Sequence, residues 1–349
     1  MRRTWGEIAL WERMMPDGHG AFDALSPELT LRAVEGAYRL RLDGTMQPYP
    51  SYVNRVYGVR SDDGEEFIVK FYRPGRWSPE AIAEEHEFVL DCADAELPVV
   101  APLPDPDGYT LQLVDARPAA AADDPTVPPT EYAFELYEKR GGRGFDAEHD
   151  EDWFRLGSLA GRVHAVGARA RAEHRLVCTP SESTRRFVTE LHDTNAVHPD
   201  LAEEFFALVE QGLELIGPLF SGVELQRIHG DFHRGNVLER GDEGLMLIDF
   251  DDMMMGPPVQ DLWLLLPDHA WAAQRELANM IDGYTQFCEF DSRTLRLVEP
   301  LRFMRMIYYL AWSALQASDR RFREDHPDWG SRSFWITEVE DLRTQLSVV

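Results

Sequence analysis

One segment interrupts the helical pattern in the second half of the chain and constrains the fold most. Apolar residues there recur at the three- and four-residue spacing of amphipathic helices, except over residues 228–250. In that segment the sequence predicts a loop and two short strands, 236–239 and 245–248, joined by a turn at 241–244. Asp249 directly follows the second strand. Its position indicates a functional carboxylate, because burying an unpaired charge is costly.

The first part of the chain has strand patterns, and the rest has mainly helix patterns. The predicted strands are 52–59, 67–72, 109–114 and 131–137. The predicted helices are 27–36, 78–95, 151–172, 181–194, 200–216, 269–289, 292–318 and 335–346. We expect an irregular lead-in over 1–30 with one short helix, and an exposed loop over 117–130.

These patterns predict an α+β protein with two lobes. The small N-lobe, residues 1–138, would contain an antiparallel sheet and bind a nucleotide. The larger helical C-lobe, residues 139–349, would hold the catalytic loop and the substrate site. Two lobes imply a cleft between them, where ligands commonly bind.

Composition excludes several classes of partner. The net charge of −27 argues against nucleic acid, which binds basic surfaces. No apolar run reaches the roughly 18 residues of a membrane helix, and no signal-peptide pattern opens the chain. Cys92, Cys178 and Cys288 are too widely spaced for a disulfide framework or a metal cluster. We therefore expect a cytoplasmic protein, and a monomer.

The segment with Asp249 also contains the spacing of a kinase catalytic loop. His229-Gly230-Asp231 is followed by Asn236, which matches the order of the H-R-D-x-x-x-x-N motif. In that chemistry the first aspartate takes the hydroxyl proton of the substrate, while the asparagine and a later aspartate hold Mg²⁺ through hard oxygen ligands. We predict Asp231 and Asp249 as catalytic residues, and Asn236 and Asp249 as metal ligands. The predicted reaction is ATP- and Mg²⁺-dependent phosphoryl transfer.

Lysine is rare in this chain, which has 35 basic residues but lysine only at Lys70 and Lys139. Lys70 lies on a predicted strand, as the phosphate-binding lysine of a kinase does. The partner of such a lysine is a glutamate on the next helix. On the 78–95 helix, Glu85 shares a face with Ile82 and Val89. We therefore predict that Lys70 and Glu85 form an ion pair at the nucleotide.

The phosphate-covering loop of a kinase should precede the strand at 52–59. The glycine-rich G-x-G-x-x-G pattern is absent there, and residues 49–55 read Tyr-Pro-Ser-Tyr-Val-Asn-Arg. Backbone amides and the Ser51 hydroxyl are the groups in this loop that could hold a phosphate. We therefore predict Ser51, with Lys70 and Glu85, as part of the ATP site.

Together these residues resemble the aminoglycoside phosphotransferase/choline kinase superfamily, whose members share the protein-kinase-like fold. Within it the chain is most similar to the bacterial stress response kinase A family of serine/threonine protein kinases. The resemblance covers about 30–320 and rests on residues 51–57, 69–74, 84–86, 229–236, 260–263, 300–302 and 308–312.

The resemblance assigns roles to individual residues. It implies that Asp231 accepts the proton, that Asn236 and Asp249 bind Mg²⁺, and that Ser51 and Lys70 contact ATP. Asp261 would be a structural acid that ties down the catalytic loop. The implied acceptor is a serine or threonine hydroxyl of a protein.

The same residues allow three alternative functions. A small-molecule kinase acting on an aminoglycoside, choline or a sugar would use the same catalytic residues, and the acidic stretch 146–152 would suit a cationic substrate. Asp251 and Asp252 would also suit such a substrate, and we expect them on the solvated or substrate-facing side because Asp249, and not they, directly follows the apolar strand. A zinc metallohydrolase would use His229, Asp231 and His233 as ligands. A pseudokinase scaffold is disfavoured by the full set of catalytic residue types.

The segment after Asp249 is short. Eleven residues separate Asp249 from Asp261, and Gly256-Pro257-Pro258 interrupts them. A long phosphorylatable activation loop does not fit in this space. We therefore predict that activity needs no phosphorylation of residues 250–260.

Overall fold

The computed structural model describes residues 21–51, 53–117, 126 and 128–349, with only the backbone described at Arg320. Most of the predicted lead-in, Tyr52 of the first predicted strand and much of the predicted 117–130 loop lie outside the described residues. The chain divides into two compact units. The first comprises residues 1–83, 101–140 and 316–327, and the second comprises 84–100, 141–315 and 328–349.

This division differs from the predicted lobes at three places. The main change of unit falls after residue 140, close to the predicted boundary at 138. Residues 84–100 group with the second unit, and residues 316–327 return to the first. The grouping of residues 316–327 with the first unit could not be predicted from local sequence patterns, because it depends on contacts with residues far away in the sequence.

The first unit is built on a five-stranded antiparallel sheet in the order β1-β2-β3-β5-β4. Its elements are α1 (Pro27–Tyr38), β1 (Leu42–Tyr49), β2 (Arg55–Ser61), β3 (Glu66–Phe71), β4 (Gln112–Ala116) and β5 (Thr130–Glu138). Val34 of α1 packs with Val69, Phe134 and Leu136 of the sheet in one apolar core. The predicted hairpin is confirmed as β2 and β3.

The first helix extends beyond its predicted end. Ser26 caps its N-terminus by accepting a hydrogen bond from the Leu29 amide. The helix was predicted to end before Gly36, but it continues to Tyr38 and stops at Arg39, which has a left-handed φ of 54°. Burial of the Tyr38 ring in the core stabilises the extra turn, and this tertiary effect outweighs the low helix propensity of glycine.

The second unit is mainly helical and has its own apolar core. Its helix α2 (Pro79–Asp94) begins in the first unit, at residues 79–83. The later helices are α3 (Asp150–Gly167), α4 (Arg185–Asp193), α5 (Pro199–Ile216), α6 (Val259–Trp263), α7 (Gln274–Tyr284), α8 (Val298–Gln316), α9 (Arg320–Asp325, in the first unit) and α10 (Arg332–Leu346). The short strands are β6 (Arg143–Gly144), β7 (Gln226–Ile228), β8 (Val237–Glu239), β9 (Leu245–Leu247) and β10 (Met254–Gly256).

The predicted α+β kinase-like fold is confirmed, with an antiparallel sheet in the N-terminal part and helices in the C-terminal part. The predicted strand pair in the 228–250 segment is β8 and β9, which pair antiparallel. Two helices are shorter than predicted: 151–172 ends at Gly167, and 269–289 is helical only over Gln274–Tyr284. None of the described helices is long and apolar enough to span a membrane.

Helices α3 and α7 approach each other closely at glycines. A Cβ atom at Gly157 would lie 1.9 Å from the Met280 carbonyl oxygen, and one at Gly283 would lie 2.0 Å from the Phe154 oxygen. Real Cβ atoms are not found so close to backbone, so any side chain here would separate the two helices. The helices bring together His164 and Tyr284, which contact each other, and His164 also contacts Asp261, the carboxylate that binds the His229 amide.

Replacing Gly157 by Ala is therefore expected to lower the free energy of unfolding by about 1–3 kcal/mol, the usual cost of overpacking a core. Gly36→Ala is the matched control, since a Cβ there has nothing within 4 Å. Because α1 is a regular helix at Gly36, the control should gain about 0.5–1 kcal/mol. Denaturant unfolding measures both values. Equal stabilities of the two variants would contradict the close helix contact.

Candidate active site

The loop from His229 to Asn236 is held by one buried carboxylate. Asp261 of α6 accepts hydrogen bonds from the His229 amide at 2.8 Å and the Gly230 amide at 2.9 Å. His164 of α3 lies 2.9 Å from the same carboxylate. The expected role of Asp261, tying down this loop, is confirmed by these contacts.

Gly230 is required by the shape of this loop. Its φ is +82°, and a Cβ atom there would lie 2.1 Å from the Asp252 carbonyl oxygen. Both the left-handed conformation and the close backbone approach favour glycine. The Gly of His-Gly-Asp therefore allows the loop to pack against residue 252.

The His229 side chain joins the loop to the end of β9. Its Nδ1 accepts a hydrogen bond from the Asp231 amide at 3.3 Å, and its Nε2 donates to the Ile248 carbonyl at 3.0 Å. With both ring nitrogens engaged, the buried His229 has no lone pair to offer a metal. This geometry does not fit the His-x-Asp-x-His zinc site of the metallohydrolase hypothesis.

Two basic side chains flank the Asp231 carboxylate. Arg305 Nη2 lies 2.5 Å from Oδ1, and His233 Nε2 lies 3.3 Å from Oδ2. Burial would raise the pKa of Asp231, but the His233 hydrogen bond and the Arg305 charge hold that pKa well below its usual range. Asp231 is therefore ionised at neutral pH.

The pKa of His233 is shifted in the opposite direction from that of Asp231. The hydrogen bond to Asp231 raises the pKa of His233, burial opposes the change, and the Asp249 charge adds to the increase. His233 thus senses both Asp231 and Asp249. The three groups belong to one electrostatic cluster on the loop and at the end of β9.

Asn236 and Asp249 present oxygen atoms of the type that Mg²⁺ prefers. The buried Asn236 donates from Nδ2 to the Asp231 carbonyl oxygen at 2.9 Å, which orients the side-chain oxygen away from that carbonyl. Asp249 is exposed and has a left-handed φ of 62°, a conformation that costs free energy in a residue other than glycine. Strain of this kind is common at functional sites.

The two acids after Phe250 have different environments. Asp251 is buried and its carbonyl oxygen accepts a hydrogen bond from Arg175, so it is not solvated, and a substrate-facing position stays a prediction. Asp252 accepts hydrogen bonds from the Tyr308 hydroxyl at 3.0 and 3.1 Å. Arg175 enters this region from the α3–α4 connection, which the sequence patterns did not connect with it.

Lys70 lies opposite Glu135 in the register of β3 and β5. Its Nζ is 3.1 Å from Glu135 Oε1, and both side chains are buried. The Tyr72 hydroxyl donates to the same oxygen at 2.7 Å, and the Lys70 ammonium lies 4.3 Å from the centroid of the Tyr72 ring. Glu135 was not identified from the sequence because its only signal, an acid within an apolar strand, needs the strand register to be interpreted.

Glu85 lies on the inward face of α2, as predicted. It is buried with Ile82 and Val89, whereas Glu87 is exposed. Arg175 Nη1 lies 3.7 Å from Glu85 Oε2 and also donates from Nε to the Met253 carbonyl at 2.7 Å. The predicted Lys70–Glu85 pair joins residues of two units and stays a prediction.

Ser51 belongs to a turn before β2. Its Oγ accepts a hydrogen bond from the Asn54 amide at 3.3 Å, so its hydroxyl hydrogen can be donated elsewhere. Asn54 Oδ1 in turn accepts from the Arg73 amide at 3.2 Å. Hydrogen bonds therefore connect Ser51 to Asn54 and Asn54 to Arg73.

The segment after Asp249 contains a short strand. Met254 of β10 pairs with Ile228 of β7, and α6 begins at Val259. Residues 250–260 are thus occupied by a turn, a strand and the start of a helix, which agrees with the predicted lack of space for a long activation loop. Independence from phosphorylation stays a prediction.

Arg305 is a functional candidate that the sequence patterns did not identify. Its contact with Asp231 spans 74 residues of sequence, and an arginine on a helix is usually a solvated surface residue. The resemblance to known kinases reached Pro300–Arg302 and Tyr308–Trp312 of the same helix without assigning Arg305 a role.

Replacing Arg305 by Gln should lower kcat/KM by about 10- to 100-fold, corresponding to the roughly 1.5–3 kcal/mol of a hydrogen bond to a charged group. Because Arg305 helps to keep the pKa of Asp231 low, its loss raises that pKa, and the acid limb of the pH–rate profile moves to higher pH. Arg302→Gln is the control, since Arg302 has a similar exposed fraction but pairs with Glu299. An unmoved acid limb in Arg305→Gln would contradict this role.

Comparison with known proteins gives one family match and full-length relatives. Residues 45–298 match the model of the family described as "Phosphotransferase enzyme family". The chain is 31% identical over 333 residues to "Stress response kinase A" of Escherichia coli (strain K12), with 94% of each chain covered. It is 32% identical over 350 residues to "Serine/threonine protein kinase RdoA" of Salmonella typhimurium (strain LT2), with 96% of this chain and 97% of that protein covered.

Among solved structures, the chain is similar to amicoumacin kinase hAmiN in complex with AMP-PNP, Ca²⁺ and Ami. The TM-score is 0.70 at 16% identity, with 91% of this chain and 93% of that chain covered. At this level of identity the likeness supports the fold alone. It agrees with the sheet and helices described above.

Proposed function

Because this chain belongs to the phosphotransferase enzyme family and is a kinase of the stress response kinase type, we propose that it transfers the γ-phosphate of ATP to a serine or threonine hydroxyl of a protein. The observation that carries this proposal is the Asp231 site. An ionised carboxylate lies on a loop fixed by Asp261, and the side chain of Asn236 is bonded to the same loop. This is the residue set that phosphoryl transfer to an alcohol requires.

Asp231 is the proposed base. Arg305 holds Oδ1 at 2.5 Å, whereas His233 approaches Oδ2 only to 3.3 Å, so Oδ2 is the oxygen that a substrate hydroxyl would contact in place of His233. The hydroxyl oxygen would form a bond to the γ-phosphorus as the bond to the leaving ADP oxygen breaks. The hydroxyl proton would pass to Asp231.

Asn236 and Asp249 are the proposed metal ligands. Mg²⁺ beside phosphates is commonly held by one or two protein oxygens. The Asn236 side-chain oxygen, oriented by the hydrogen bond from its Nδ2, and the exposed Asp249 carboxylate would supply them. When bound, Mg²⁺ would offset negative charge on the phosphates. Asp249 lies two residues after the end of β9, is exposed and has a left-handed backbone.

Lys70, Ser51 and Glu85 are the proposed ATP contacts. The buried Lys70 ammonium is fixed by Glu135 and Tyr72, which favours a defined position for one positive charge. The Ser51 oxygen accepts a hydrogen bond from the Asn54 amide, so the hydroxyl hydrogen is the part of the group that would be donated to a phosphate. Glu85 would complete the site by pairing with Lys70, as in other kinases.

The acceptor is proposed from the relatives. Two proteins about one-third identical over nearly the whole chain have the names of a stress response kinase and a serine/threonine protein kinase. We extend that acceptor class to this chain, together with a cytoplasmic location and a monomeric state. A small hydroxylated molecule is the other acceptor class, since solved proteins with the same fold include an amicoumacin kinase and an aminopropanol kinase.

The test compares acceptors under one set of conditions. Wild-type protein and Asp231→Asn would be incubated with γ-labelled ATP and Mg²⁺, with a bacterial protein extract or with a panel of aminoglycosides, choline and amino alcohols. The proposal predicts label on serine and threonine of proteins, dependent on Asp231. Label only on a small molecule would overturn the protein acceptor, and Asp231-independent labelling would overturn the assigned base.

A further inference from the structure

The segment after α8 returns to the first unit and brings a buried acid with it. Residues 316–327 group with the five-stranded sheet, and Asp319 lies there at the start of α9. Its amide donates to the Gln316 carbonyl at 2.8 Å, and its carbonyl accepts from the Arg323 amide at 3.1 Å. The Asp319 backbone is therefore fixed, and its carboxylate is nearly inaccessible to solvent.

Asp319 forms a buried ion pair with Arg73, which follows β3. A buried carboxylate is stable only when a charge or several hydrogen bonds offset its lost hydration. The ring of Phe22 lies over this region, with the Arg73 guanidinium 5.6 Å and the Arg55 guanidinium 4.4 Å from its centroid. The pair thus lies in an enclosed cluster and is not a screened surface contact.

Arg73 also holds the loop that contains Ser51. Its Nε donates to the Val53 carbonyl at 3.2 Å, and its amide donates to Asn54 Oδ1 at 3.2 Å. Asn54 in turn donates from its amide to Ser51 Oγ. A continuous series of hydrogen bonds therefore runs from Asp319 through Arg73 to the loop.

We propose that Asp319 is a positioning residue that holds Val53, Asn54 and, through Asn54, Ser51 by means of Arg73, and thereby sets the affinity for the phosphates of ATP. This inference rests on the proposed function of the loop that contains Ser51. Kinases with a glycine-rich loop bring backbone amides close to phosphate through the freedom of glycine. Residues 49–55 contain no glycine, and the side chains of Asn54, Arg73 and Asp319 hold Ser51, Val53 and Asn54 instead.

Nucleotides with and without phosphates separate this role from a general structural one. The experiment measures the affinities of full-length wild type, Asp319→Asn and Arg73→Lys for ATP and for adenosine. Asp319→Asn keeps the size of the side chain and removes its charge. Arg73→Lys keeps a positive charge to pair with Asp319. A lysine ammonium lacks the separate Nε–H group with which Arg73 donates to the Val53 carbonyl.

Both variants are expected to bind ATP about 10-fold more weakly, the effect of losing one hydrogen bond to a charged group, with unchanged affinity for adenosine. The KM for ATP should rise accordingly, while kcat at saturating ATP stays near that of wild type. Asp43→Asn is the control, because Asp43 pairs with Arg60 on the same sheet at 2.6 Å and lies at the end of β1 that is farther along the strand from Ser51.

Three outcomes would contradict this account. Unchanged ATP affinity in folded variants would overturn the role of Asp319, as would an equal loss of ATP and adenosine affinity. A wild-type protein that does not distinguish ATP from adenosine would contradict the proposed function itself, and the inference with it. If Asp319→Asn fails to fold, Arg73→Lys alone decides between the first two outcomes, since it preserves the charges of the buried pair.

Discussion

Replacing Asp231 by Asn is expected to lower kcat for phosphoryl transfer by about 10²- to 10⁴-fold, the usual contribution of a positioned general base. Asparagine has nearly the same shape and can still accept the Arg305 hydrogen bond at Oδ1, but it lacks a negative charge and cannot take up the proton. The KM for ATP should change little, because Asp231 is not among the proposed ATP contacts. Steady-state kinetics with labelled ATP give both values.

Asp146→Asn is the matched control for this substitution. Asp146 is an exposed acid that pairs with Arg234 of the same loop at 2.8 Å. It should leave kcat near that of wild type, because exposed ion pairs contribute little. Near-normal turnover by Asp231→Asn would show that another group accepts the proton.

Replacing Asp249 by Asn is expected to raise the Mg²⁺ concentration needed for half-maximal activity by at least about 100-fold. Loss of a residue that only supports a metal ligand commonly costs about 10- to 100-fold in metal affinity, and a direct ligand should cost no less. The amide keeps one oxygen but loses the negative charge that attracts a divalent cation. Activity measured against Mg²⁺ at fixed ATP tests this.

Asp242→Asn is the control for Asp249, because Asp242 is an exposed acid in the turn between β8 and β9. Its loss should leave the Mg²⁺ dependence unchanged. The left-handed backbone at residue 249 also favours Asn as the replacement, since Asn tolerates that conformation better than most residues. An unchanged Mg²⁺ requirement in Asp249→Asn would assign the metal to other ligands.

Features specified by short stretches of sequence were predictable. The inward face of α2 follows from helical spacing, and both Ile82 and Glu85 are buried there. The hairpin of β2 and β3 and the pair β8–β9 follow from alternation and turn residues. The prediction of Asp231 and Asn236 as site residues also rests on local spacing within one loop, and it stays a prediction.

Residues whose role depends on a distant partner were not predictable in the same way. Glu135 meets Lys70 only through the register of two strands separated by a helix and a further strand. Arg305 meets Asp231 across 74 residues, and Arg73 meets Asp319 across 246. Periodicity describes neighbours within one element, whereas these pairs arise from packing between elements. The exception is Asp261, whose link to the loop at His229 and Gly230 followed from family resemblance.

Phosphoryl transfer at Asp231, with metal ligands at Asn236 and Asp249, is the central function proposed for this protein. The most direct test is a single-turnover measurement with γ-labelled ATP, excess enzyme and acceptor protein, in wild type and Asp231→Asn. We predict Mg²⁺-dependent transfer of label to serine or threonine in the wild type, and transfer slower by about 100-fold or more in the variant although it binds ATP. Transfer at the same rate by both proteins would contradict the account.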